Sequence, residues 1–200
     1  TGEISAGAGI GTNGGSFMVG VKENNYLGEG KQVGFDLEVD KESLAGTFSY
    51  FNPNYDFLGN SIYYALRSEK NDVPTRGYEN SIVSAEASTS FEQYKDIDLT
   101  LGLAASYDDL STLSSASSAL KKQSGEFSEF SANYGFSYDK RDRKFRPSDG
   151  SIISFSQTLP IYADKGAIGN TFSASNYHKL SENVLTATKF YLSTVNGIDD

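Results

Sequence analysis

The chain has 200 residues and a formal net charge of −9, and it contains no Cys. Without Cys there is no disulfide, no thiolate nucleophile and no zinc ribbon. The acidic surplus argues against a nucleic-acid partner, because phosphate neutralisation needs clustered basic residues. Aromatic residues make up 13% of the chain and Gly contributes 20 residues, a composition typical of a β-rich protein rather than a helical bundle.

The chain also lacks any run of 18 or more apolar residues. This argues against a membrane-spanning helix, but a transmembrane barrel remains open because its strands are only half apolar. The sequence begins at Thr1 without Met or a signal peptide and stops just after a strand-like pattern. We therefore expect it to be an excerpt of a longer chain whose targeting sequence lies outside it.

Period-two alternation begins at the start of the chain and recurs along it. In "EISAGAGIG", Ile4 and its alternate neighbours share one face, while Glu3 and its alternate neighbours share the other. Similar patterns run from Phe17 to Val21, Val33 to Val39, Leu99 to Ala105, Ala132 to Tyr138, Ile153 to Leu159 and Thr186 to Leu192. Together they predict about eleven strands of mostly eight to twelve residues, close to the length that a tilted strand needs to cross a bilayer.

The connections between these strands fall into two alternating sets. The first is compact and rich in Gly, Pro, Asn or Asp, and comprises residues 28–30, 52–60, 92–98, 146–150 and 181–183. The second comprises residues 12–15, 40–43, 71–80, 108–129 and 163–170. The last three are predicted to be long, and residues 108–129 to form a mobile loop with one short helix. Such parity is typical of a barrel with extracellular loops on the second side.

Periodicity alone leaves two architectures open. In a transmembrane barrel the apolar residues face hydrocarbon and the polar ones a wet lumen, among them Glu3, Asp36, Glu38 and Lys189. In a soluble sandwich the same apolar residues face inward. Aromatic residues near the predicted turns suit an interfacial girdle, namely Tyr26, Tyr50, Phe51, Tyr55 and Tyr94.

No catalytic or metal-binding constellation stands out in the sequence. His178 is the only His, so a histidine metal cluster or a serine triad would depend on that one side chain. The glycines of "SAGAGIGTNGG" follow strand periodicity and no helix pattern follows them, which disfavours a nucleotide-binding loop. Instead, Gly7 and Gly9 predict a strand that is weakly fastened to its neighbours. We predict no enzymatic activity, no cofactor and no metal.

The stretch "YDKRDRKFRPSDGS", residues 138–151, packs five basic and three acidic residues between two strand patterns. Its Pro147–Gly150 run predicts a tight turn, and residues 138–145 the strand end leading into it. If alternation persists through that end, Asp139, Arg141 and Arg143 point inward, where such charge requires a wet or paired environment.

Three motifs resemble the barrel of the BamA family, the outer-membrane protein assembly factors. They lie in the first hairpin and its turn, in "SYFNPNYDFLGNSIYYAL", and in the pattern Y-D-x-R-D-x-x-F-x-P-x-x-G of residues 138–150. The matching residues are Asn25, Tyr26, Leu27, Gly28, Gly30, Asn52, Pro53, Tyr138, Asp139, Arg141, Asp142, Phe145, Pro147 and Gly150. Their order and spacing match over essentially the whole chain, whereas the third motif alone is shared with two-partner secretion and chloroplast import pores.

The resemblance implies an all-β fold, a transmembrane antiparallel β-barrel of 16 strands in the cell outer membrane. Residues 1–200 would be its N-terminal part, with about the first eleven strands, while the POTRA domains and the final strands are absent from this chain. The implied function is to fold and insert nascent outer-membrane proteins without ATP. Implied partners are membrane lipid, those client proteins and, through the missing POTRA domains, outer-membrane assembly lipoproteins and periplasmic chaperones.

In such a barrel an incoming client strand pairs with the edge of the first strand at a seam with the last one. The residues that would form this gate strand here are Glu3, Ile4, Ser5, Ala6, Gly7, Ala8, Gly9, Ile10 and Gly11. The alternative function is a passive outer-membrane channel or a polypeptide secretion pore of a related family.

Overall fold

The computed structural model describes residues 2–11, 14–182 and 184–198, and it folds them into one eleven-stranded antiparallel sheet. The strands are β1 (Gly2–Gly11), β2 (Gly14–Tyr26), β3 (Lys31–Asp40), β4 (Ser43–Asn52), β5 (Ser61–Val73), β6 (Tyr78–Tyr94), β7 (Ile97–Thr112), β8 (Gly125–Asp139), β9 (Gly150–Ala163), β10 (Ala167–Ser181) and β11 (Val184–Gly197). Each strand pairs with the next one along the chain, so β1 and β11 form the two edges of an unclosed sheet. The predicted all-β fold and strand number are confirmed.

Most strands are longer than predicted, and most connections are correspondingly shorter; the connection between β8 and β9 is the exception. Strand lengths run from 10 residues in β1 to 17 in β6. The β5–β6 ladder continues to the Val73–Tyr78 pair, which leaves only residues 74–77 as a turn where we expected a long loop. Likewise residues 164–166 connect β9 to β10. The predicted contrast between long loops and short turns is therefore wrong, because polar residues beyond the apolar segments continue the backbone pairing. Residues 12, 13 and 183 of the predicted connections lie outside the described residues.

The register sorts the side chains into an apolar face and a polar face. On the apolar face the direct pairs Ile4–Val21, Val21–Phe35 and Phe35–Phe48 follow one another across four strands. On the polar face a row of direct partners runs through Ser5, Gly20, Asp36, Thr47, Arg67, Ser84, Ser106 and Glu129. Glu3, Glu38 and Lys189 share this polar face, as predicted.

Neither face is covered by other parts of the described chain. No large side chain among the described residues is fully buried, and the buried hydrophobic residues are only Ala45, Val73 and Ala116. On the apolar face Phe17 keeps 50% of its surface exposed and Leu66 keeps 57%. All eleven strands lie in one sheet, so the two-sheet sandwich is wrong. An apolar face of this extent needs an apolar medium or partner against it.

Aromatic pairs link neighbouring strands across the apolar face. Tyr50 and Tyr64 lie with ring centroids 6.1 Å apart, and Phe155 contacts Phe136 at 5.7 Å. Such tilted pairs stabilise strand pairing beyond the area they bury. No helix in the described part of the chain has the length and apolar character needed to cross a membrane.

Residues 113–124, which connect β7 to β8, dock against the turn between β5 and β6. They form the longest connection at their end of the sheet, the end opposite the β8–β9 loop of residues 140–149. Their helix α1 (Ser118–Lys121) begins after Ser117, whose hydroxyl oxygen accepts a hydrogen bond from the Leu120 N–H at 3.2 Å. The Leu113 N–H donates to the Gly77 carbonyl at 2.8 Å, and Ala116 is buried. The predicted short helix is confirmed, whereas the structure gives this segment a defined position instead of the expected mobile loop.

We expect Gly77→Ala to release this segment. A Cβ at position 77 would lie 2.7 Å from the Ser115 hydroxyl and 2.8 Å from the Ala116 nitrogen, so the docked backbone would have to move. Trypsin cleavage after Lys121 or Lys122 in the folded protein should then become several times faster. Gly28→Ala is the matched control, since Gly28 has a similar φ of +77° but no atom within 4 Å of its Cβ position. Equal cleavage rates in the two variants would contradict the docking.

Candidate functional site: the free edge of the first strand

The first strand offers an unpaired edge along its whole length. Within the described residues β1 pairs with β2 alone, from Gly2 opposite Glu23 to Gly11 opposite Gly14. The backbone groups on the other side of β1 have no partner strand there. Unpaired N–H and C=O groups of this kind are a template for another strand.

The register indicates which residues direct their backbone groups to that edge. The Gly11–Gly14 pair closes a hairpin with two intervening residues, and in such hairpins the closing pair is hydrogen-bonded. Hydrogen-bonded and non-hydrogen-bonded pairs then alternate along an antiparallel ladder. Glu3, Ser5, Gly7, Gly9 and Gly11 therefore bond to β2. The groups that point to the free edge belong to Ile4, Ala6, Ala8 and Ile10.

Few side chains fasten β1 to β2. Gly7 and Gly9 have none, and a Cβ at these positions would lie 3.1 Å from the Met18 Cγ and 3.0 Å from the Ser16 hydroxyl. The Asn24 side chain donates to the Glu3 carboxylate at 2.8 Å, and the Ser5 hydroxyl lies 3.5 Å from the Gly20 carbonyl. The attachment of β1 thus depends chiefly on its backbone ladder.

The first turn motif shapes the connection between β2 and β3. The Asn25 carbonyl accepts from the Gly28 N–H at 3.0 Å, and its side-chain oxygen accepts from the Gly30 N–H at 2.6 Å. Leu27, Gly28 and Gly30 all have positive φ, at 55°, 77° and 70°. Asn tolerates and caps such turns, and Gly adopts positive φ without strain. Tyr26 is the last residue of β2.

The second turn motif includes one residue that sequence reasoning missed. Asn52 is buried, and its side-chain oxygen accepts from the Asn54 N–H at 3.2 Å, with Pro53 between them. The Asp56 carboxylate organises the rest of the turn by accepting from the Leu58 N–H at 2.9 Å and the Asn60 side chain at 2.7 Å. In turns, an Asp side chain often accepts a hydrogen bond from the backbone N–H two residues later, here that of Leu58. This local preference could have identified Asp56.

The third motif departs from its predicted conformation. Strand β8 ends at Asp139, and residues 140–149 form an irregular loop instead of continuing the strand to Phe145. Arg141 turns back to Asp139 through two hydrogen bonds of 2.8 and 2.6 Å, and both side chains are largely buried. The fork geometry of Arg favours this bidentate pairing with a carboxylate. Tyr138 stays on the apolar face opposite Ile153.

Asp142 closes the 140–149 loop. Its carboxylate accepts from the Ser148 N–H at 2.8 Å, the Ser148 hydroxyl at 2.6 Å and the Asp149 N–H at 3.2 Å. The Asp142 N–H in turn donates to the Asp149 carbonyl at 3.1 Å. Arg143, predicted to point inward, is exposed and lies 3.3 Å from Asp142 instead. Pro147 lies within the closed loop.

A second missed residue ties this loop to its neighbour. The Lys140 ammonium lies 2.5 Å from the carboxylate of Asp96, which belongs to the β6–β7 turn. The Asp96 carbonyl also accepts from the Asp139 N–H at 3.0 Å. No local sequence signal joins residues this far apart, because only the pairing of β7 with β8 brings them together.

The Asp142 hydrogen bonds predict a pH dependence of the loop. Donation from the Ser148 hydroxyl, and then from the backbone, holds the pKa of the Asp142 carboxyl well below its usual range. Because this pKa is lower in the folded state, the carboxylate stabilises the loop at pH values above its unfolded-state pKa of about 3.9. The stabilisation is lost as the pH falls towards the folded-state pKa. Amide-exchange protection of Ser148 and Asp149 should therefore persist at mildly acidic pH and fall only in stronger acid. Asp142→Asn should remove this dependence; an unchanged profile would contradict it.

The motif residues therefore build turns and place no reactive groups together. Within residues 2–11, 14–182 and 184–198, no group of three or more His, Cys, Asp or Glu side chains is placed to hold a metal ion. What these residues can offer a partner is the edge of β1 or of β11 and the uncovered apolar face.

Comparison with known proteins identifies relatives of this sheet. The model of the Omp85 superfamily domain matches residues 25–199. Curated relatives include the sorting and assembly machinery component 50 homologs of Bos taurus, Mus musculus and Homo sapiens, each 25% identical over 154 residues. The match covers 76% of this chain and 33% of each relative. The chain thus spans about a third of the length of these relatives.

A solved structure shows the same fold. The crystal structure of BamA from Haemophilus ducreyi lacking POTRA domains 1–3 matches with a TM-score of 0.77 and 23% sequence identity. The match covers 99% of this chain and 42% of that one. The eleven strands therefore have the arrangement of one part of a larger β-barrel.

Proposed function

Because the chain belongs to the Omp85 superfamily, we propose that it is the N-terminal part of the β-barrel of an outer-membrane protein assembly factor. Residues 1–200 would then supply about the first eleven of 16 strands, and the rest of the barrel and the POTRA domains would come from the parent chain. The observation that carries the proposal is the weak side-chain attachment of β1 to β2, with Gly7 and Gly9 at its centre. The names of the relatives, a sorting and assembly machinery component among them, support it.

In the proposed reaction a client strand pairs with the free edge of β1 from Glu3 to Gly11. Ile4, Ala6, Ala8 and Ile10 present the backbone donors and acceptors, and backbone pairing tolerates many client sequences. Few side chains hold β1 to β2, so the edge can move to meet a client. Strand exchange makes and breaks only hydrogen bonds, so neither ATP nor a catalytic residue is required.

The two faces of the sheet would have different surroundings in this proposal. The apolar face, with Phe17, Phe35 and Leu66, lies against outer-membrane lipid, and the polar face lines a wet lumen. Nascent outer-membrane proteins are the clients. Assembly lipoproteins and periplasmic chaperones would bind through the parent chain's POTRA domains.

The test uses the full-length parent chain in liposomes with a denatured barrel client. Ser5→Cys, paired with a Cys in the closing strand, locks the proposed seam when oxidised. Client folding should stop on oxidation and return on reduction, while the single-Cys variants should fold clients under both conditions. Folding that continues with the seam locked would contradict the gate and favour a passive channel or secretion pore.

A further inference from the structure

The two ends of the sheet carry different residues at the tips of their connections. We call the end formed by residues 27–30, 53–60, 95–96 and 140–149, which holds the turns of the three motifs, the motif rim. Three of its tips present large apolar side chains to solvent: Leu27 is 77% exposed, Phe57 96% and Phe145 76%. At the opposite end the turns 41–42, 74–77 and 164–166 carry Lys41, Glu42, Arg76, Asp164 and Lys165, and the docked segment adds Leu113.

The basic residues of the 140–149 loop differ in their partners. Lys140, Arg141 and Arg143 each pair with a carboxylate, those of Asp96, Asp139 and Asp142. Lys144 and Arg146 are exposed, and no carboxylate of the described residues lies within ion-pair distance of either. These two cations flank Phe145, and the Arg146 guanidinium lies 5.3 Å from the centre of the Phe145 ring.

Hydrogen bonds within the 140–149 loop hold Lys144, Phe145 and Arg146 in a fixed position. The Asp142 bonds to Ser148 and Asp149 close its base, and the Arg141 side chain donates to the Lys144 carbonyl at 3.4 Å. Little conformational freedom is left to lose when a partner covers Phe145, and preorganisation of this kind favours binding.

We propose that the motif rim anchors the barrel in the membrane interface, with Phe145 inserted among lipids and Lys144 and Arg146 bound to anionic lipid phosphates. The three apolar tips lie in the β2–β3, β4–β5 and β8–β9 connections, and strands lie about 4.8 Å apart, so they span roughly 30 Å of rim. An interface that continues from the apolar face covers all of them at once. Phe145, exposed and flanked by Lys144 and Arg146, matches its chemistry, since the apolar part inserts and the cations reach the headgroups.

The experiment reads the surroundings of Phe145 in the full-length protein. Phe145→Cys carries an environment-sensitive fluorophore, in a parent chain whose other cysteines are replaced; residues 1–200 contribute none. The protein is reconstituted in phosphatidylcholine vesicles with and without phosphatidylglycerol, and with nitroxide quenchers on the headgroup or shallow acyl positions. We expect blue-shifted emission that the shallow nitroxide quenches. Lys41→Cys, at the tip of an opposite turn, should stay solvent-like, and Phe57→Cys should behave like Phe145→Cys.

The cationic contribution is tested in the same labelled protein. Lys144→Gln with Arg146→Gln should abolish the additional shift that phosphatidylglycerol causes, while the folded band on an unheated gel is kept. Solvent-like emission at position 145 in both vesicles would overturn the proposal. A blue shift that lipid nitroxides do not quench would also overturn it, because a protein would then cover the tip. Neither readout involves client folding, so failure here is distinct from failure of the proposed assembly function.

Discussion

Gly150→Ala is expected to prevent the β8–β9 loop from closing and to lower the folded yield of the barrel sharply. Gly150 has a φ of +93°, and a Cβ there would overlap the Lys140 carbonyl oxygen. The same Cβ would lie 2.9 Å from the Lys140 carbonyl carbon and 3.0 Å from the Arg141 Cα. All three are backbone atoms, and the Lys140 N–H is held to the Ser151 carbonyl at 2.8 Å. The obstruction therefore cannot be relieved by a side-chain rotation.

The size of the effect separates steric overlap from backbone strain. A non-Gly residue at positive φ costs about 1 kcal/mol, and overpacking against fixed atoms adds about 1–3 kcal/mol. Gly59→Ala is the matched control, since Gly59 has a φ of +80° but its nearest neighbour, the Asn54 side-chain oxygen, would be 3.9 Å from the Cβ. Urea titration of the full-length protein in detergent should show Gly150→Ala to be the more destabilised variant by at least 1 kcal/mol. Equal midpoints would show that the loop relaxes around the new methyl group.

The strand number and the two faces could be predicted because both depend on local periodicity. Side chains alternate strictly along a strand, so Ile4, Val21 and Phe35 must share a face once their strands pair in register. A slip of one residue would move every apolar side chain to the polar face, so the pattern that reveals the strands also fixes their register.

The loops could not be predicted because they depend on contacts between distant residues. Alternation continues β8 to Phe145, but hydrogen bonds donated by Ser148 to the Asp142 carboxylate and by Lys140 to Asp96 hold a loop instead. Low complexity in residues 113–124 suggests mobility, yet Gly77 leaves room for Ala116 to dock. The sequence of residues 140–149 does not indicate the contact with Asp96, and the sequence of residues 113–124 does not indicate the contact with Gly77.

The candidate gate strand lies between these two cases. Its small residues are visible in the sequence, and the structure places them at an edge of the sheet. In the proposed barrel a closing strand of the parent chain lies beside that edge. Its role therefore has to be tested in the parent protein.

Ala8→Pro in that parent should reduce the rate of client folding by about tenfold or more. The hairpin register directs the Ala8 N–H to the free edge, and Pro removes this donor and places its ring where the client strand would pair. The bonds of Gly7 and Gly9 to β2 are kept, so β1 should remain in the sheet. The measurement is the appearance of the heat-modifiable folded form of a barrel client in liposomes.

Ala8→Val is the control that distinguishes a lost donor from an enlarged side chain. Val keeps the N–H, adds only methyl groups on the exposed apolar face, and suits a strand conformation. Client folding by this variant should stay close to that of the parent protein. If Ala8→Pro and Ala8→Val fold the client at the same rate while both barrels remain intact, then β1 does not receive client strands through its backbone, because the one variant that lacks an edge donor would have lost nothing.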